Sequence, residues 1–113
     1  MAEKMYIDFA AGVNRVGNNT KFFIKMLTKF RNETTLDKME EALAAENFEE
    51  AKAVAHTIKG VAGNLSLSEL ADECLKIETQ IKANAVDSGQ LAVLKTVFDA
   101  TIAEIDKVLA ENE

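Results

Sequence analysis

No proline interrupts this chain of 113 residues, and its apolar residues recur at three- and four-residue intervals over most of its length. Proline is the strongest helix breaker and that spacing is the helical period, so the pattern confines the chain to amphipathic helices packed on one another. β-branched runs are few, and Ala, Leu, Glu and Lys are common, as an all-α protein requires. With 48% apolar residues the chain can bury a real core, and its length fits one domain, residues 1–113.

Turn signals divide the chain. Residues 1–4 read as a frayed tail. Tyr6, Phe9, Ala10, Val13 and Val16 define a short first helix over about 5–15, closed by Gly17-Asn18-Asn19. The second helix covers about 19–31, with Phe22, Phe23, Met26, Leu27 and Phe30 as its apolar stripe and Lys21, Lys25 and Lys29 along another face. That stripe reads as core, with one or two members left as docking surface. Thr34 or Thr35 caps a third helix to about 46, facing Leu36, Met39 and Leu43 inward. Asn47 and Glu50 form a capping-box pattern opening a helix to about 64. Ser66 and Glu69 repeat the pattern and open a helix to about 84, whose stripe includes Leu70, Cys74, Ile77 and Ile81. Cys74 is expected to be a buried, inert thiol. The last helix covers about 88–110, with Leu91, Leu94, Phe98, Ile102, Ile105 and Leu109 inward. Short connections make neighbouring helices antiparallel.

The helix over 47–64 carries the only histidine in the chain, His56, and two of its five glycines, Gly60 and Gly63. Ala51, Val54, Ile58, Val61 and Leu65 form a stripe centred roughly opposite His56, so the imidazole is expected to face solvent. Lys52, Lys59, Gly60 and Gly63 fall within about 60° of His56 on the helical wheel. Each mid-helix glycine costs about 1 kcal/mol against alanine, and close approach of another body is a physical reason to keep both. Asn64, near the helix end, reads as a cap. A metal site needs several ligands, and general acid–base work needs a pocket and an orienting partner; a lone histidine between lysines on a convex face offers neither. A neutral imidazole whose lone pair accepts an anionic phosphoryl group fits these residues better. No metal and no cofactor are expected.

The run Ala55-His56-Thr57-Ile58-Lys59-Gly60, with Ala62 and Asn64-Leu65 after it, resembles the signature of histidine-containing phosphotransfer (HPt) domains. The resemblance implies an antiparallel four-helix bundle with a short additional N-terminal helix lying over it as a lid. It implies a phosphorelay intermediate that takes a phosphoryl group from the aspartate of one receiver domain and passes it to an aspartate of another. His56 matches the phosphorylated position, Lys59 the basic position and Gly60 the small position that gives access. Lys52, Ala53, Gly63 and Asn64 are then expected to border the docking surface. The family often carries glycine where Ser66 stands and a small residue where Val61 stands.

The net charge of −6 argues against nucleic acid as a partner. Its distribution is uneven: residues 1–34 carry six Lys/Arg against three Asp/Glu, and residues 35–113 carry seven against sixteen. A basic N-terminal third suits a receiver, whose active site the resemblance implies is acidic. One cysteine means no internal disulfide, no apolar run reaches the roughly 20 residues of a membrane span, and no signal peptide leads the chain, so a cytoplasmic monomer is expected. The partners expected are receivers of response regulators or of a hybrid histidine kinase. Two other readings compete: a helical adaptor that carries no phosphoryl group, and a phosphoacceptor fed directly by a kinase's ATP-binding domain. A plausible initiator Met1 and an end just past the last helix favour a free-standing protein.

Overall fold

The computed structural model describes residues 6–112. Within them the chain forms α1 (Phe9–Arg15), α2 (Thr20–Glu33), α3 (Asp37–Ala44), α4 (Phe48–Asn64), α5 (Ser68–Lys82) and α6 (Ser88–Glu111). The four longer helices, α2, α4, α5 and α6, make the bundle; α4 packs on α5, α5 on α6, and α6 on α2, while α3 lies against α4 and α1 against α2. This is the all-α bundle with a short N-terminal helix that the pattern requires. Phe23, Leu27, Met39, Leu70, Cys74, Ile77, Leu94 and Ile105 are wholly buried between the helices. Each such side chain of Leu or Phe size contributes about 1.5–3 kcal/mol relative to exposure.

Side-chain caps fix several helix starts. Asp8 Oδ1 accepts the Ala11 N–H, Asn19 Oδ1 the Phe22 N–H, Asn47 Oδ1 the Glu50 N–H and Asp87 Oδ1 the Gly89 N–H. The first helix therefore begins at Phe9, not near residue 5, because Asp8 caps it; the expected tail over 1–4 lies outside the described residues. The third helix is shorter than its apolar spacing suggests. It starts at Asp37, with Leu36 at the N-cap and neither threonine there, although Thr35 Oγ1 accepts the Asp37 N–H. It ends at Ala44 because Glu46 adopts a left-handed φ of 58°. Leu43 is only partly buried, and Ala42 takes its place in the core.

The capping box expected at Ser66 and Glu69 does not form. Ser66 has a φ of 60° and belongs to the end of α4. Its N–H bonds to the Gly63 carbonyl, and the Leu67 N–H bonds to the Ala62 carbonyl, the paired hydrogen bonds of a Schellman ending. α5 then starts at Ser68 with no side-chain cap. Glycine adopts a positive φ without steric cost, which explains its frequency at this position in the resembled family. Asn64 does not cap α4 either: the C-cap residue is Leu65, and Asn64 is exposed.

α4 is also turned relative to the expected stripe. Ala51, Ala55, Ile58, Ala62 and Leu65 are buried, whereas Val61 is 41% exposed. The inward face is rotated toward the alanines, whose small side chains let α5 pack beside α4. Similarly, Phe22 stands 49% exposed, while Phe23, Leu27 and Phe30 form the buried side of α2.

α1 is tied to the far end of α4. The Asp8 N–H donates to the Ser66 carbonyl (3.0 Å) and Arg15 Nη1 donates to the Gly63 carbonyl (3.0 Å). Phe9 meets Phe23 edge to face, with ring centroids 5.5 Å apart. Gly12 lies directly against the Phe23 ring, where a Cβ has no room.

Candidate functional site

The turn at 65–67 folds α5 back along α4, so residues equally distant from Leu67 meet across the hairpin. His56 and Glu78 are such a pair. His56 lies on the outer face of α4, its side chain 66% exposed, and its Nδ1 stands 3.1 Å from Glu78 Oε2. Glu78 itself is buried, with only 6% of its side chain exposed. Lys59 Nζ lies 2.7 Å from Glu78 Oε1, and Lys82 Nζ lies 3.8 Å from Oε2.

A buried carboxylate is costly unless paired. Here Lys59 above all, and the hydrogen bond from His56, hold the Glu78 carboxyl below the usual carboxylate range, although burial pushes the other way. An ionised Glu78 offers only acceptors, so the proton of a neutral His56 sits on Nδ1 and the lone pair on Nε2. The imidazole thus has one nitrogen occupied by the protein and the other available to solvent.

The candidate residues occupy one ridge. Gly60 is exposed and Gly63 half-buried, and a Cβ built on either meets nothing within 4 Å. Neither glycine is therefore demanded by the packing of this chain. Ala53 and Asn64 are exposed on the side of the ridge that slopes toward α2. There a groove of about 850 Å³ runs between α2 and the end of α4, lined by Phe22, Met26, Phe30, Val61 and Leu65 with Lys25 and Lys29 at its edge. Lys21, Lys25 and Lys29 are all exposed, as their spacing suggests. The two lysines flanking His56 differ. Lys59 is pinned to Glu78, whereas Lys52 pairs within its own helix with exposed Glu49 at 3.5 Å. Cys74 is buried, and burial first, then the nearby Glu73 and Glu78 charges, pushes its thiol up to about 12, so it is inert at neutral pH.

Sequence reasoning missed Glu78 and Arg15. Glu78 adjoins Ile77 and lies one turn from Cys74 on the margin of the buried stripe. Its mirror relation to His56 about the interhelical turn was the signal available. Arg15 had none, because its contact with Gly63 depends on how α1 crosses the bundle.

A helical bundle that displays one half-tethered imidazole on an open ridge defines a carrier surface, not an enclosed catalytic pocket. The family model described as "Hpt domain" matches residues 25–110, and the chain belongs to that family. It is accordingly a phosphoryl carrier, an intermediate between histidine and receiver aspartate in a phosphorelay, and not an enzyme in the ordinary sense. Hpt domains work with receiver domains and hybrid kinases. No curated protein and no solved structure matches the chain. Among the described residues, no helix is long and apolar enough to cross a membrane.

Proposed function

We propose that His56 Nε2 is the atom that carries the phosphoryl group. The observation behind this reading is the Nδ1 contact with buried Glu78, which leaves Nε2 as an exposed nucleophile. Nε2 attacks the phosphorus of a receiver's aspartyl phosphate; the N–P bond forms as the bond to the carboxylate oxygen breaks, and the aspartate leaves as its carboxylate. The proton stays on Nδ1, and the positive charge developing on the ring is met by Glu78. Attack by the aspartate of a second receiver reverses these steps and frees the imidazole. The receivers supply the divalent cation and most of the stabilisation of the transferring group.

Lys59 has two roles in this reading: it keeps Glu78 ionised, and it compensates phosphoryl charge beside Nε2. Lys52 contributes less, since Glu49 already pairs with it. Gly60 and Gly63 keep the ridge low, and Ala53, Asn64 and the groove beyond them meet the receiver. The same reading takes residues 1–113 as one Hpt-like domain, because α1, which precedes the matched region, is tied to α4 by two hydrogen bonds. It takes the protein as a monomer in the cytoplasm that serves receivers of response regulators or of a hybrid histidine kinase and does not bind nucleic acid.

The test is phosphotransfer from a panel of phosphorylated receiver domains to the wild-type chain and to His56→Gln. The wild type is expected to take acid-labile, base-stable label, and the variant to take none while keeping its helical circular dichroism. A His56→Gln variant that still accepts label overturns the assignment.

A further inference from the structure

Arg15 ends α1, and its exposed side chain reaches across to the ridge, where Nη1 donates to the Gly63 carbonyl at 3.0 Å. We propose that Arg15 is a docking residue that receives a carboxylate on the receiver surface and so helps select and orient the phosphoryl donor. This rests on the reading of His56 as the phosphoacceptor.

Geometry places Arg15 within reach of such a partner. Gly63 is two helical turns along α4 from His56, about 10 Å. An interface of ordinary size covers about 800 Å² on each side, a disc about 16 Å in radius, so one centred on His56 extends past Gly63. The contact with Gly63 uses one of five guanidinium N–H donors and leaves a planar edge free for two parallel bonds to a carboxylate. Because the side chain is already fixed on the ridge, less conformational freedom is lost when a partner arrives.

Charge points the same way. Arg31 is paired with Asp106, Lys52 with Glu49, Lys59 and Lys82 with Glu78, and Lys76 with Glu73. Among the described residues, no carboxylate lies within ion-pair distance of Arg15, Lys21, Lys25, Lys29, Lys38 or Lys107, and of these Arg15 is the one whose side chain donates to the backbone of α4. A positive group left unneutralised two helical turns along the ridge from the acceptor histidine suits a partner that carries carboxylates around its reacting aspartate. Arginine fits this position better than lysine, since a point charge on a flexible stem cannot hold the carbonyl and present a second bonding edge together.

The test uses the full chain and the receiver that donates fastest in the panel above, with phosphoramidate as a small-molecule donor. Arg15→Gln removes the charge, and its shorter amide does not reach the Gly63 carbonyl that Nη1 holds. It is expected to raise KM for the phosphorylated receiver by about 3–10-fold with kcat unchanged, and to weaken the salt dependence of kcat/KM. Arg15→Lys should fall between it and the wild type. Phosphoramidate should label the Arg15→Gln variant as fast as the wild type, because a small donor does not use the docking surface. An unchanged KM, an equal rise with Lys107→Gln on α6, or slower phosphoramidate labelling of Arg15→Gln overturns the inference and leaves the role of His56 standing. Failure of the wild type to take label from either donor overturns the phosphoacceptor reading and this inference with it.

Discussion

The chemistry rests on a division of labour within one imidazole. Nδ1 belongs to the fold, through Glu78, and Nε2 faces the partner. Replacing Glu78 separates orientation from charge. Glu78→Gln retains an acceptor for Nδ1 but not the negative charge, and Glu78→Ala removes both. A charge-assisted hydrogen bond is worth about 1.5–3 kcal/mol, so Glu78→Ala should slow phosphotransfer about 10–100-fold, with Glu78→Gln in between. Single-turnover rates of the two variants check this; equal, wild-type rates would remove Glu78 from the mechanism. The histidine, its lysine and its glycines were legible from the sequence because they lie within one helical segment. Glu78 was not, because its role depends on a partner across a hairpin, and an acidic residue on a helix is by default a solvated one. Ser66 was misread for a related reason: a serine three residues before a glutamate signals a helix start, but the preceding helix needs this residue in a left-handed conformation to stop. Its Oγ is buried without a hydrogen-bond partner. Ser66→Gly should therefore stabilise the protein by about 1 kcal/mol, raising the thermal midpoint by roughly 4 °C or more. A lower midpoint would show that the hydroxyl or Cβ contributes more than the strain costs.

Among the elements, α4 makes a compromise between its own stability and its surface. Gly60 and Gly63 interrupt a 17-residue helix at positions where a Cβ has open space around it. Gly60→Ala and Gly63→Ala should each stabilise the isolated protein by about 0.5–1 kcal/mol in chemical denaturation. Gly60→Leu should slow receiver-dependent transfer while leaving phosphoramidate labelling of His56 near the wild-type rate. If Gly60→Leu transfers normally, the ridge is not approached closely there. Gly12 is the opposite case: Gly12→Ala forces a methyl group into the Phe23 ring and should destabilise by about 1–3 kcal/mol. Helix existence was readable from spacing alone for α2, α5 and α6, but the inward face was read closely only for α5: Phe22 of the α2 stripe is exposed, and α6 buries Val97 and Thr101 while Leu91, Phe98, Ile102 and Leu109 are only half-buried. The rotation of α4 that exposes Val61 was not readable, because three alanines carry too little apolar weight in a wheel to reveal which side admits a neighbouring helix.

Over the whole molecule, charge and acid sensitivity follow from the same arrangement. Lys59 and His56 make Glu78 a stronger acid in the folded protein than in the unfolded chain. As pH falls through the carboxylate range the unfolded state binds that proton first, so the stabilisation from Glu78 is fully present above its ordinary value of 4.5 and declines below it. Urea titrations between about pH 6 and pH 3 should show this decline in the wild type and a smaller one in Glu78→Gln; parallel curves would mean the carboxylate is not the group involved. The basic first third and acidic remainder were visible in the composition, but only the fold shows that Arg15 from the former is held on the ridge of the latter. The most direct measurement of the central claim is ¹⁵N and ³¹P NMR of the phosphorylated chain with labelled histidine. The account predicts a single phosphoramidate on His56, with phosphorus bonded to Nε2 and the proton retained on Nδ1. Phosphorus on Nδ1, or on any other residue, would contradict it.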